Sequence, residues 1–230
     1  MKYLTWRFIA GLPRGIAYSV SRRLLLARSR RAQFNGLYRQ GGFGGSPSLS
    51  GVGSTLENTE VLRQQLPLLL RRLGIRSLLD IPCGDWYWMQ HVDLAEIEYI
   101  GADIVEDLVR RNAERHGSPR RSFVVKDLCR DTLPQVDLIL CRDCLLHLKL
   151  RDGREAIANM KRSGSQYLLT STFARCVKNE ELPASFWRPI NLQLPPFSFP
   201  QPLELIADSS ADAASRSERF LGLWKLAAIP

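Results

Sequence analysis

Apolar positions along this chain fall into short, nearly unbroken runs separated by longer stretches of helical period. SLLDIPC (77–83), VDLILCRD (136–143) and QYLLTSTF (166–173) are too short for helices and too continuous for half-exposed strands, the pattern of parallel strands covered on both faces. EYIGADIV (98–105) and SFVVKDL (122–128) repeat it. Between them EDLVRRNAERHG (106–117) and LLHLKLRDGREAIANMKRSG (145–164) carry a 3.6-residue period, and upstream Val61, Leu62, Leu66, Leu69, Leu70 and Leu73 mark a helix that Gly74 closes. Five strands with intervening helices predict a doubly wound α/β sheet, because parallel neighbours require crossovers. FLGLWKLAAI (220–229) reads as one more strand, antiparallel at an edge. Residues 182–206 hold six prolines and four aromatics, so this segment is not mainly helix.

Length and charge refine the picture. At 230 residues and 45% apolar, one moderately large domain with a full core is expected, here residues 41–230, with residues 1–40 as a basic extension and 182–206 as a lid. A net charge of +9 spread over a fold would point to nucleic acid or a membrane surface. It is not spread: nine of the 32 basic residues precede Glu57, the first acid, which leaves 23 bases against 23 acids. Residues 1–33 mix apolar and basic positions and suit an amphipathic helix, either docked on an anionic membrane or partner or packed on the domain with its arginines solvated. Their acid-free character also overlaps with an organellar transit peptide, and they lack the uninterrupted apolar core of a secretory signal. No run spans a bilayer, and an odd set of five cysteines fits a reducing, cytoplasmic setting. GGFGGSPSLSGVGST (41–55) reads either as a flexible linker or as a loop offering backbone N–H groups at a helix start.

In an open parallel sheet, ligands bind beyond the carboxyl ends of the strands where the strand order reverses. The strand ends carry Asp80 to Asp85, Asp103, Asp127 and Cys141 to Asp143. A carboxylate such as Asp103 accepts two hydroxyl hydrogen bonds, as a ribose requires. Asp127 or its backbone suits the exocyclic amine of an adenine, with Leu128 on the ring. Asp143 and His147 are four apart, so on the predicted helix they share a face, where either can take a proton from a hydroxyl acceptor; an N-cap and a core histidine are the alternatives. Cys141 and Cys144 form a CxxC without the second pair that zinc wants, so inert thiols and no metal are expected. In the Pro-rich segment Trp187, Arg188 and Asn191 read either as an acceptor-binding surface, with a stacking face and a cation, or as a seal on the sheet edge.

LDIPCGDWYW, YIGADI, VVKDLCRD, DLILCRDCLLHL and YLLTSTF, in this order and spacing, resemble the successive motifs of class I S-adenosylmethionine-dependent methyltransferases over about residues 50–175. WRPINLQLPPFSFPQPLELI is similar to a tail in uncharacterised bacterial members. The resemblance implies a Rossmann-like sheet of seven strands, the last antiparallel, with S-adenosyl-L-methionine held by Asp80, Cys83, Gly84, Asp85, Asp103, Ile104, Asp127, Leu128 and Cys141. The family's D-x-G-x-G-x-G lands on Asp80, Pro82, Gly84 and Trp86, with two of three glycines replaced. Dinucleotide enzymes need those glycines where a pyrophosphate meets the backbone; S-adenosylmethionine has no phosphate, so one glycine can suffice. Trp86 stands where the family often keeps its last glycine, and either lines the donor pocket or closes it. The segment after the fourth strand lacks the Asn/Asp-Pro-Pro-aromatic motif of base- and amide-methylating members, which favours methylation of a small-molecule or carbohydrate acceptor at oxygen. Two alternatives stand beside it: an RNA or protein methyltransferase recruited by the basic N-terminus, and a catalytically silent binding protein of the same fold.

Overall fold

The computed structural model describes residues 29–43, 47–183, 186–208 and 219–230. The segment before residue 29, where a basic amphipathic helix or transit peptide was expected, lies outside the described residues. Helices α1 (Arg30–Arg39) and α2 (Glu60–Arg72) precede the sheet; β1 (Ser77–Asp80), β2 (Glu98–Asp103), α3 (Glu106–His116), β3 (Arg121–Val125), β4 (Leu138–Cys141), α4 (Leu150–Arg162), β5 (Tyr167–Phe173), β6 (Glu204–Ala207) and β7 (Arg219–Lys225) follow. The seven strands lie in the order β3-β2-β1-β4-β5-β7-β6. Strands β1 to β5 pair in parallel, and β7 runs antiparallel to both β5 and β6. Strand β6 comes from the end of the Pro-rich segment and forms an edge of four residues, short enough to limit pairing with other chains.

The central strands are covered on both faces, as their unbroken apolar runs require. Successive side chains alternate between the faces. Leu79, Ile139, Cys141 and Leu168 face α4, where Ala156, Ile157 and Met160 meet them together with Ile190, Leu192 and Phe197 of the Pro-rich segment. Leu78, Leu138, Leu140 and Leu169 face α2 and its Leu62, Leu66, Leu69 and Leu70. The Pro-rich segment is thus structural wall as much as lid.

Two local departures from the sequence expectation shape the strand ends. No α-helix follows β1; the chain makes only a 3-10 turn at Met89–His91. The helix expected across 145–164 is split into a 3-10 turn, Leu145–His147, and α4 from Leu150. Asp143 sets this break: its backbone is left-handed (φ 51°) and its N–H donates to Ser171 Oγ at 2.8 Å, which turns the chain before a helix can start. Asp143 and His147 therefore do not share a helix face.

Candidate functional site

A cavity of about 140 Å³ opens beyond the carboxyl ends of β1, β2, β3 and β4, at the reversal of strand order between β1 and β4. Asp80, Cys83, Gly84, Asp85, Asp103, Ile104, Asp127, Leu128, Asp143 and His147 all line it. At the end of β2, Asp103 accepts the N–H groups of Gly84 (3.2 Å) and Val105 (3.0 Å). Each oxygen keeps a second acceptor site. Burial raises this carboxyl to about 6, against the stabilising backbone N–H groups. Asp80 accepts from Tyr99 Oη at 2.6 Å, and its burial lifts it further, to about 7. Gly84 takes φ 57°, and a side chain there would collide with Ser50 Oγ; a residue with a Cβ is disfavoured by space and by backbone angle together.

Residues 48–50 of the segment read as either a linker or an N–H-presenting loop are fixed beside the cavity. Asp85 accepts Ser48 Oγ (3.0 Å), Leu49 N–H (2.6 Å) and Ser50 Oγ (3.1 Å), so its carboxylate clasps this loop. Asp85 also lines the cavity, so it stands among the residues expected to hold the donor while its carboxylate is engaged by the loop. Helix α1 closes the other side with Arg30, Phe34, Leu37 and Tyr38. Arg30 grips Asp127 through Nε and Nη2, both at 3.3 Å. The Asp127 carboxylate, expected to meet an adenine amine, is taken by this ion pair, though Asp127 and Leu128 remain in the cavity wall. Sequence reasoning missed α1 and the Ser48–Ser50 contacts as site residues. Phe34, Leu37 and Tyr38 do fall at helical spacing, but nothing in that spacing says which surface they cover.

On the β4 side, His147 Nδ1 lies 2.5 Å from the carbonyl oxygen of Phe186. A carbonyl only accepts, so Nδ1 carries the proton, and in the neutral ring Nε2 holds the lone pair. The ring stacks on Phe43 with centroids 4.5 Å apart. Asp143 sits between Arg142 (3.4 Å) and Arg219 (3.0 Å). Burial opposes its charge, but the two guanidiniums prevail and hold it below the usual carboxylate range. Such a group is a poor proton acceptor and a good fixed negative charge beside His147, which corrects Asp143 as a base. The same arginines pair with fully buried Asp208, Arg142 at 2.8 Å and Arg219 at 3.2 Å, and Arg142 also donates to Gly53 O at 2.7 Å. This network ties β4, β7 and the covering loop to one point.

Several sequence-derived assignments fall outside the cavity wall. Cys141 is fully buried in β4, and its neighbour Cys144 lines the cavity instead. Trp86 neither lines nor closes the pocket; it packs in the core against Tyr99, Phe123 and His116, with Arg121 over its face at 4.5 Å. Trp88 is the lining indole. Arg188 is 4% exposed and donates to the carbonyls of Glu180, Leu146 and Leu148 at 2.6, 2.8 and 2.7 Å. Asn191 bonds the carbonyls of Ala174 and Cys176. Both hold the Pro-rich segment together, and the acceptor-binding assignment is corrected for them. Trp187 is about half exposed, edge-on to Phe173 at 5.9 Å, and not in the cavity wall. Among the described residues no cluster of three metal-ligating side chains occurs, and no helix is long and apolar enough to cross a membrane.

No protein-family model matches the chain, and no curated protein matches it by sequence. Solved structures do. The methyltransferase domain of bacterial-CtHen1-C aligns at TM-score 0.54 with 14% identity, over 73% of this chain and 98% of that one. The 1,6-didemethyltoxoflavin-N1-methyltransferase of Burkholderia thailandensis aligns at 0.52 with 17% identity, over 72% and 77%. The chain spans 61% of the PH0226 protein of Pyrococcus horikoshii, at TM-score 0.44 and 20% identity over 53% of its own length. With its 3-2-1-4-5-7-6 sheet and its cavity at the β1/β4 reversal, this chain has the Rossmann-like fold of the methyltransferases that it superposes on.

Proposed function

We propose that this protein transfers the methyl group of S-adenosyl-L-methionine to a small-molecule or carbohydrate acceptor, at an oxygen. The observation that carries the proposal is the cavity at the β1/β4 reversal, which joins the buried Asp103 carboxylate at one end to the oriented His147 imidazole at the other. The donor side suits a nucleoside without phosphate. It offers carboxylate acceptors for hydroxyls, and a single glycine, Gly84, stands where a phosphate loop would need several. Asp103 would hold the ribose, Ile104 and Leu128 the base, and Cys83 and Gly84 the amino-acid end.

Bound there, S-adenosylmethionine supplies an electrophilic methyl on a sulfonium. The chain's own part is alignment, exclusion of water and movement of one proton. Helix α1 and the Ser48–Ser50 loop roof the cavity, so acceptor and donor meet out of bulk water, and alignment of this kind can supply much of the rate. With Nδ1–H fixed on Phe186 O, His147 Nε2 takes the acceptor's hydroxyl proton, and the anionic Asp143 favours the imidazolium that forms.

Calorimetry with S-adenosylmethionine tests the donor, and a labelled-methyl screen against metabolite, glycan and RNA pools tests the acceptor. Micromolar binding that Asp103→Ala abolishes is expected. Well-folded protein that binds no donor would leave the silent binding protein as the surviving reading, and label found only in RNA would replace the small acceptor.

A further inference from the structure

We propose that helix α1 is a ligand-coupled lid of the donor site, in which the Tyr38 hydroxyl binds the donor's ribose and Arg30 is the positioning residue that latches the helix shut. The proposal rests on the reading of the cavity as a nucleoside-bearing donor site. Tyr38 lines that cavity, yet its Oη is buried and has no hydrogen-bond partner among the described residues. A buried phenol without a partner is costly, and a ligand in the cavity relieves that cost. Tyr38 stands beside α3, with the Arg111 guanidinium 5.9 Å from its ring. Tyr38 and Asp103 line the same cavity, so the phenol and the carboxylate are both offered to a sugar with two hydroxyls.

Arg30 supplies the second, independent observation. It is the first residue of α1, where a cation opposes the helix dipole. It is nonetheless buried among three acids, at 3.3 Å from Asp127 and from Asp152 and 3.6 Å from Glu155. Helix formation does not explain that placement; docking does, because the acids belong to the loop after β3 and to α4. Phe34 adds an edge contact to Phe186 at 6.0 Å, so the same helix also reaches the residue whose carbonyl orients His147. Seated, α1 forms part of the cavity wall at the strand ends that a nucleoside must reach, so a bound ribose that bonds Tyr38 holds the latch closed.

The test uses the full chain with S-adenosylhomocysteine and with adenosine as probes. Tyr38→Phe, an isosteric change, is expected to weaken both probes by roughly five- to tenfold, the worth of one neutral hydrogen bond. Arg30→Gln is expected to raise the S-adenosylhomocysteine dissociation rate by about tenfold, with partial rescue in Arg30→Lys. Amide exchange across 30–39 should slow when S-adenosylhomocysteine binds the wild type, and thermal unfolding checks that each variant is folded. Wild-type affinity for both probes in Tyr38→Phe, or exchange in α1 that ignores the ligand, overturns the lid. Weakening of S-adenosylhomocysteine but not of adenosine overturns the ribose assignment, since the contact would then lie at the amino-acid end. These failures are separable from failure of the donor site: binding that Asp103→Asn abolishes but Tyr38→Phe and Arg30→Gln leave intact removes only the lid, whereas a wild type that binds neither probe removes the donor site itself.

Discussion

In the proposed methyl transfer, Asp103 and His147 divide the chemistry at the scale of single residues. The Asp103 carboxyl is raised to about 6 by burial, and only its ionised form accepts from both ribose hydroxyls while keeping its backbone N–H bonds. Affinity for S-adenosylhomocysteine should therefore fall as pH drops through about 6, and Asp103→Asn should remove that dependence along with roughly 2–3 kcal/mol of binding; calorimetry from pH 5 to 8 reads both. His147→Gln should lower kcat by about a hundredfold or more and leave donor affinity unchanged, because the ring faces the acceptor end and Asp143 is too firmly anionic to replace it. Full turnover in His147→Gln, measured by label transfer, would end the base assignment. The acids at 80, 103 and 127 could be picked from sequence because each ends an apolar run. Their partners could not, since Tyr99 reaches Asp80, the Gly84 N–H reaches Asp103 and Arg30 reaches Asp127 from other elements.

Elements around the cavity are held by side chains that look catalytic in sequence. Arg188 shows this most clearly. Its guanidinium donates to carbonyls of the 3-10 turn that carries His147 and to Glu180 of the segment beside it, and burial lowers its pKa because nothing of opposite charge compensates fully. Arg188→Ala leaves those carbonyls buried and unpaired, at a cost of about 3 kcal/mol. Urea unfolding should report that loss, and label transfer should fall with it as His147 loses its turn. A direct acceptor contact at Arg188 would instead raise KM without loss of stability. The same division applies to the 41–55 segment: its glycines and serines announce a loop, but residues 48–53 are held by the Asp85 clasp and by Arg142 on Gly53.

For the molecule as a whole, the buried acids at the strand ends trade stability for a binding site. Asp80 holds its proton up to about pH 7 in the fold but only to about 4 when unfolded. The folded state thus binds more protons between these values, so this contribution is full below about pH 4 and is lost as pH rises through 7. Asp80→Asn should flatten that decline, raising stability at pH 8 by an amount on the order of a few kcal/mol, with urea midpoints at pH 5 and 8 as the check. Sequence by itself determined the doubly wound sheet and its acidic strand ends, because the period of apolar residues is a local property that burial on both faces imposes. The last strand, expected antiparallel at an edge, is antiparallel but lies inside the sheet, since β6 from the Pro-rich segment takes the edge beside it. Sequence also marked Gly84 as the one glycine the first loop needs. Tertiary structure alone decided that Trp86 belongs to the core, that Arg188 and Asn191 are braces, and that Arg30 and Tyr38 line the cavity. Those outcomes depend on which distant groups meet, up to 97 residues apart for Arg30 and Asp127, and no local pattern records such a meeting.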